Sequence, residues 1–287
     1  MSALQVEWVM VSEKITDLLR RYNLRPDKRF GQNFLADEAI LAKVADAAGV
    51  DSTTRVLEIG PGLGGLTRVL AGRAAQVVAV ELDERLLPAL NEVVQPFANV
   101  RVVAGDILQF APQALMGAAP YVVAANIPYN ITSAILRHLL ESWSARPQRL
   151  ALMVQREVAE RICAQPGDLS LLGLSVQVYG NPQIAARIPA GAFYPPPKVD
   201  SAVVRVDVYA QPRIPLAQLE TFFKLARAGF AQKRKTLRNA LRSGSGLQVE
   251  QVDALLDAAK IDGMRRAETL TLDEWRALTE SYPSPSG

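Results

Sequence analysis

The sequence predicts an α/β protein: a parallel sheet covered by helices on both faces, followed by a smaller domain built only of helices. Three observations predict it. From residue 55 short apolar runs alternate with helical patterns, a glycine-rich turn joins the first run to its helix, and beyond Gln211-Pro212-Arg213-Ile214-Pro215 the periodicity is helical alone. Apolar strands alternating with helices bury both faces of a parallel sheet, and ligands of such sheets sit at the carboxyl ends of the strands. The composition change places the division at residue 210, giving domains 1–210 and 211–287.

In chain order, Ile15, Leu18, Leu19 and Tyr22 stand at helical spacing behind Ser12, which predicts a short amphipathic helix over 12–22. The segment from Arg25 to Leu35 has no clean period and mixes charge with aromatics, as segments that line sites often do. Asp37 is then placed to cap a helix carrying Ile40, Leu41, Val44 and Ala48. The strands of the sheet are read at Val56–Ile59, Val77–Val80, Val100–Val103, Tyr121–Ala125 and Leu150–Val154, with helices to about Gly72, from about Asp83, and over Thr132–Trp143. Leu174–Tyr179, Ile184–Ile188 and Ser201–Val208 also read as strands, the last two as an antiparallel hairpin at the sheet edge. Between these two, Phe193-Tyr194-Pro195-Pro196-Pro197-Lys198 is too rich in proline for helix or central strand. In the helical domain, Leu216 to Phe230 and Val249 to Leu256 mark two helices.

The 287 residues, 49% hydrophobic, are enough for a sizeable core. One cysteine, Cys163, and one histidine, His138, leave disulfides, Cys/His metal sites and histidine triads almost nothing to be built from, so no metal is expected. Cys163 reads as a small core hydrophobe and His138 as a structural or surface residue. With no apolar run of membrane length and no cleavable leader, a cytoplasmic protein without a membrane partner is expected, and a monomer. The net charge is only +3, but residues 213–242 hold eight basic residues against Glu220 alone, a local excess of +7. That density, centred on Lys233, Arg234, Lys235 and Arg238, points to a polyanion.

Glu58-Ile59-Gly60-Pro61-Gly62-Leu63-Gly64-Gly65 joins a strand to a helix, and Glu81 ends the next strand. Glycines let the backbone approach a ligand, and a carboxylate at Glu81 can take both ribose hydroxyls of an adenosine. Gly60-x-Gly62-x-x-Gly65 also satisfies the dinucleotide fingerprint, which raises an NAD-dependent oxidoreductase. Pro61 and Glu58 argue instead for S-adenosyl-L-methionine, whose binding needs no row of N–H donors for a pyrophosphate, and Asp106 supplies a carboxylate for the adenine amine.

Asn126-Ile127-Pro128-Tyr129 ends a buried strand with an amide, a rigid proline and an aromatic ring. Methylating an exocyclic amine requires its hydrogens to be held so that its lone pair faces the methyl donor. The Asn126 oxygen and the carbonyl of Ile127 or Pro128 are placed for that, while Tyr129 can stack on the base and Phe193 can close on its other face.

Lys28-Arg-Phe-Gly-Gln-Asn-Phe-Leu35, Glu58-Ile-Gly-Pro-Gly62, Asn126-Ile-Pro-Tyr-Asn130, Phe193-Tyr-Pro-Pro-Pro-Lys-Val-Asp-Ser201 and Phe230-Ala-Gln-Lys-Arg-Lys-Thr-Leu-Arg-Asn239 together resemble the small-subunit ribosomal RNA adenine dimethyltransferases, in order and from about residue 25 to 275. One departure is Leu172-Gly173, where that family often has Tyr-Gly. The resemblance implies a Rossmann-like methyltransferase domain, a small helical domain contacting RNA, and dimethylation of two adjacent adenosines in the 3′-terminal hairpin loop of 16S rRNA on the immature small subunit. Carried over, the cofactor contacts are Asn33, Leu35, Gly60, Gly62, Glu81, Asp106 and Asn126. The related large-subunit rRNA methyltransferases of macrolide resistance share Gln-Asn-Phe-Leu and Asn-Ile-Pro-Tyr, but Lys233-Arg-Lys-Thr-Leu-Arg-Asn239 and the Pro-Pro-Pro-Lys loop favour the small-subunit enzymes. A non-catalytic ribosome assembly factor is disfavoured by the intact glycine loop and acidic residues.

Overall fold

The computed structural model describes residues 15–35, 37–128, 131–142 and 145–283. The first strand, β1 (Phe34–Leu35), follows helix α1 (Ile15–Arg21) and stands apart from the main sheet. Helix α2 (Glu38–Ala48) starts where Asp37 accepts the Ala39 and Ile40 N–H groups and stops at Gly49, whose positive φ of 68° closes the helix.

The main sheet is built from β2 (Arg55–Ile59), β3 (Gln76–Glu81), β4 (Val100–Ala104), β5 (Val122–Asn126), β6 (Arg149–Gln155), β7 (Gly180–Ile188) and β9 (Ser201–Val208). Its order is β4-β3-β2-β5-β6-β9-β7. The five strands from β4 to β6 run parallel, because their continuous apolar runs can be covered on both faces by the intervening helices. These helices are α3 (Gly65–Ala71), α4 (Leu87–Val94), α5 (Pro112–Met116) and α6 (Thr132–Leu140). From β2 the chain steps through β3 to β4 on one side and returns through β5 to β6 on the other. This switch opens a crevice over the carboxyl ends of β2 and β5.

After β6 come α7 (Arg156–Ile162) and α8 (Leu171–Gln177). The expected strand over Leu174–Tyr179 is therefore helix up to Gln177. Leu174, Val176 and Val178 are fully buried while Ser175 and Gln177 between them are half-buried, so in this short helix apolar and polar residues alternate as they would in a strand. Its start is set by Ser170, whose hydroxyl accepts the Gly173 N–H at 3.1 Å. A Cβ on Gly173 would lie 2.5 Å from the Arg161 carbonyl, so Gly173 permits close packing of α8 on α7. The hairpin β7–β9 is antiparallel, with β9 inserted between β6 and β7, so β7 is the edge. The proline-rich loop between them pairs only Phe193–Tyr194 (β8) with β1.

Four helices follow: α9 (Leu219–Phe230), α10 (Leu237–Gly244), α11 (Val249–Ala258) and α12 (Leu272–Glu280). Phe222, Leu225 and Trp275 belong to the apolar cluster that also covers one face of the sheet through Leu57, Val123 and Leu152. Trp275 is fully buried and stacks on Phe230 at 5.7 Å between ring centroids. Among the described residues no helix is long and apolar enough to cross a membrane.

Candidate active site

The crevice at the switch point holds a cavity of about 690 Å³ whose wall brings together Asn33, Leu35, Gly60, Gly62, Glu81, Asp106 and Asn126. A volume of this size suits a nucleoside-sized ligand. Each residue arrives from a strand end or a loop anchored to one. Gly60 and Gly62 leave β2 with φ of 68° and 60°, a conformation side-chain-bearing residues rarely take, and a Cβ on Gly62 would press the Phe34 ring at 3.2 Å. Glu81 ends β3 with its carboxylate buried. The Gly62 N–H donates to Oε2 at 2.8 Å and the Asp83 N–H donates to Oε1 at 2.8 Å. Each oxygen keeps a lone pair in hand, the acceptor set a vicinal diol requires. Asp106 follows β4 and caps a single 3-10 turn, its Oδ1 accepting the Leu108 N–H at 3.0 Å.

Asn126 is the last residue of β5, and its Nδ2 donates to the Asn33 carbonyl at 3.0 Å. A carbonyl can only accept, so the amide nitrogen must face Asn33 and Oδ1 is the atom left for a ligand. Next to it, the Pro128 carbonyl accepts the Ile131 N–H at 3.2 Å, while the Ile127 carbonyl takes no hydrogen bond from a described residue. Tyr129 lies outside the described residues.

The segment carrying Asn33 is itself tied down. Gln32 bridges two groups: its Oε1 accepts the Asp27 N–H at 2.8 Å and its Nε2 donates to Asp83 Oδ2 at 2.7 Å. Arg85 adds a two-pronged contact to Asp83, with Nε to Oδ1 at 2.8 Å and Nη2 to Oδ2 at 2.6 Å, and reaches Asp27 at 3.3 Å. Gln32, Asp83 and Arg85 thus latch the irregular 27–35 segment to the loop after Glu81. The sequence marked that segment as site-lining without revealing its partners, because Gln32 and Asp83 stand 51 residues apart.

Charge in the site divides between two acids. Burial pushes the Glu58 carboxyl up to about 8, with the Glu81 charge adding to the rise and the Thr67 hydroxyl opposing it. Among the described residues Glu58 Oε2 is buried without a hydrogen-bond partner, which fits a protonated acid. Burial also raises Glu81, but the Asp83 and Gly62 N–H groups hold its ionised form. Asp83 is pulled below the ordinary carboxylate range, chiefly by its hydrogen bonds from Arg85. Below the glycine loop, therefore, burial favours the neutral form of Glu58, whereas the two N–H donors favour the ionised form of Glu81.

The remaining predicted residues fall elsewhere. Phe193 is 5% exposed and packs in the apolar cluster with Ile188 and Leu35, away from the cavity wall, whereas Tyr194 lines the cavity at 43% exposure. Lys233, Arg234 and Lys235 are exposed in the turn between α9 and α10. Arg238 forms a bidentate ion pair with Asp253 that fastens α10 to α11. Lys235 and Arg242 border a second, open cavity with Asn239 and Gln248.

The residues fit S-adenosyl-L-methionine: a glycine turn whose positive φ angles side-chain-bearing residues rarely take, a buried carboxylate with acceptors for a diol, and an anchored amide oxygen, all lining one cavity. Comparisons with known proteins agree. Residues 23–282 match the family described as Ribosomal RNA adenine dimethylase. A Ribosomal RNA small subunit methyltransferase A from Dehalococcoides mccartyi is 47% identical over 267 residues, 93% of this chain and 91% of that protein. One of the same description from Alkaliphilus metalliredigens is 38% identical over 95% of this chain and 97% of its own. Among solved structures, the 23S rRNA methyltransferase ErmE is 31% identical with a TM-score of 0.69 over 87% of this chain and 99% of its own. A dimethyladenosine transferase from Plasmodium falciparum is 26% identical with a TM-score of 0.73, over 85% and 95% of the two chains.

Proposed function

Since the chain belongs to the ribosomal RNA adenine dimethylase family, we propose that it transfers methyl groups from S-adenosyl-L-methionine to the N6 amines of two adjacent adenosines in the 3′-terminal hairpin loop of 16S rRNA, on the immature small subunit. The observation that carries this reading is the anchored amide of Asn126, an acceptor fixed on the wall it shares with Glu81 and the glycine loop. Two relatives at 47% and 38% identity, each spanning over nine-tenths of this chain, are small-subunit enzymes, against 31% for the 23S enzyme ErmE. That favours the small-subunit substrate over the large.

When bound, S-adenosyl-L-methionine supplies an electrophilic methyl group on a sulfonium sulfur. Glu81 would hold its ribose, Asp106 its adenine amine, and Asn33, Leu35, Gly60, Gly62 and Asn126 the rest. Asn126 Oδ1 accepts one N6–H of the target adenine and the Ile127 carbonyl the other, which turns the nitrogen lone pair out of conjugation with the ring. Tyr129 is the aromatic residue assigned to one face of the base; Phe193, expected on the other, is buried in the apolar cluster away from the cavity wall and is not placed for that part. No side-chain base is needed, because the amine becomes acidic once methylated and its proton leaves to solvent. Rate comes from orientation and from excluding water.

The reading divides the chain into a methyltransferase domain, 1–210, and a helical RNA-contacting domain, 211–287, with Lys233, Arg234, Lys235 and Arg238 toward the phosphates. The exposure of the first three supports it, and the Asp253 partner of Arg238 makes that residue's share the smallest. It extends to a cytoplasmic monomer meeting its substrate on the ribosome. Purified protein given methyl-labelled S-adenosyl-L-methionine should label small subunits lacking the modification and leave large subunits unlabelled. Label in large subunits alone would overturn the assignment.

A further inference from the structure

Strand alternation divides the proline-rich loop into two faces. Phe193 is buried and Pro195 and Pro197 half-buried, whereas Tyr194, Pro196 and Lys198 are exposed, with Val199 at 47% beside them. Tyr194 is held in place by its backbone: it sits opposite Phe34 in the β1–β8 pair, and Phe34 lies under the glycine turn. Its ring is thereby set at the mouth of the cavity, with a large part of its surface in solvent. Three successive prolines stiffen the chain that follows, so Tyr194 and Lys198 are presented at fixed spacing.

Given the proposed function, we propose that Tyr194 and Lys198 form a subsite for the nucleotide next to the target adenosine, Tyr194 stacking on its base and Lys198 pairing with its phosphate. The argument is steric. The cavity takes one adenine beside the cofactor, so the adjoining nucleotide must wait at the mouth, unstacked from its neighbour. An exposed aromatic ring there replaces the lost stacking, and the nearby ammonium meets the backbone charge. The two adenosines would occupy pocket and subsite in turn, which gives Tyr194 a part in completing modification of both.

The test measures steady-state methylation of small subunits lacking the modification by the parent and by Tyr194→Phe, Tyr194→Trp, Tyr194→Leu and Tyr194→Ala, together with cofactor affinity. Alanine and leucine should raise KM for the subunit about tenfold or more, the range for one base–aromatic stack, while phenylalanine and tryptophan stay near the parent. Cofactor affinity should be unchanged, and mass spectrometry should show accumulated RNA with one adenosine modified. Lys198→Gln should flatten the slope of log binding against log salt by about 0.7, one single-strand phosphate contact. Unchanged KM in the alanine variant overturns the stacking, as does leucine matching phenylalanine, which would make the ring mere apolar bulk. Loss of cofactor affinity in parallel with KM would reduce Tyr194 to support for the 27–35 segment, and an unchanged slope removes Lys198. A parent enzyme that does not label small subunits would sink the proposed function itself, a result separate from these.

Discussion

Glu58→Gln isolates the protonated acid beneath the glycine loop. The carboxyl moves from its ordinary 4.5 in the unfolded chain to about 8 in the folded one because it is fully buried. At 1.36 kcal/mol per pH unit that displacement is worth roughly 5 kcal/mol, an upper limit because any relaxation toward solvent on ionisation forfeits part of it. The folded state binds the proton more tightly, so the stability tied to it is fully present below pH 4.5, falls as pH rises, and is lost by about pH 8. Glutamine keeps the shape and has no proton to lose. Urea unfolding of both proteins at each pH from 4 to 9 should give a stability difference that moves in favour of glutamine by up to 1.4 kcal/mol per pH unit between 4.5 and 8, then levels off. Subtracting the two curves cancels the titration of every other carboxylate. A difference that stays flat from pH 4 to 9 would refute the assignment of the proton to Glu58.

Gly62→Ala should cost more than Gly60→Ala, since both carry positive φ but only at Gly62 would the new Cβ press on the Phe34 ring, the nearest neighbour at Gly60 being the Asn126 carbonyl at 3.8 Å. About tenfold weaker cofactor binding is expected for Gly60→Ala from backbone strain of about 1–3 kcal/mol, and a larger loss for Gly62→Ala, both read by calorimetric titration. Reversing Lys233, Arg234 and Lys235 to Glu should weaken subunit binding and flatten its salt dependence, with cofactor affinity untouched; a filter-binding slope equal to the parent's would make that turn a solvated surface.

The parallel strands were legible because they are short, mostly apolar runs between helical patterns, and Glu81 and Asn126 because polar residues at the ends of such runs have few structural reasons to be there. Helix α8 was not, since its buried Leu174 and Val176, with Val178 just beyond, alternate with half-buried Ser175 and Gln177 and over so short a stretch mimic a strand. Which aromatic of Phe193-Tyr194 faces the cavity was equally hidden. The two-residue pairing with β1 decides it, and that pairing joins segments more than 150 residues apart. The latch of Gln32 to Asp83 has the same character: each residue is ordinary in its own window, and the chemistry exists only in the contact. Composition did locate the basic segment, but not that Arg238 spends its charge on Asp253.

Dimethylation sets a harder requirement on Asn126 than monomethylation does. After the first transfer the amine has one hydrogen left, so only one acceptor can hold it, and an amide free to turn over would offer its own N–H₂ to the methylated nitrogen half the time. The Asn33 carbonyl removes that freedom, because turning the amide would set two acceptors against each other and leave a carbonyl without its donor, a cost of about 1–3 kcal/mol. On the proposed function, Oδ1 would therefore face the substrate in both rounds, and the methylated amine would have to rotate to keep its last hydrogen on it. Asn126→Ala should lower kcat at least a hundredfold, on the scale expected for a misplaced reacting group, with cofactor affinity reduced less than tenfold. Asn126→Asp separates acceptance from anchoring: it keeps an acceptor but has nothing to donate to Asn33, whose carbonyl now repels it. Single-turnover assays should find aspartate as slow as alanine in both rounds. Aspartate within tenfold of the parent would show that an acceptor at the end of β5 suffices and that the Asn33 anchor does not orient the reaction.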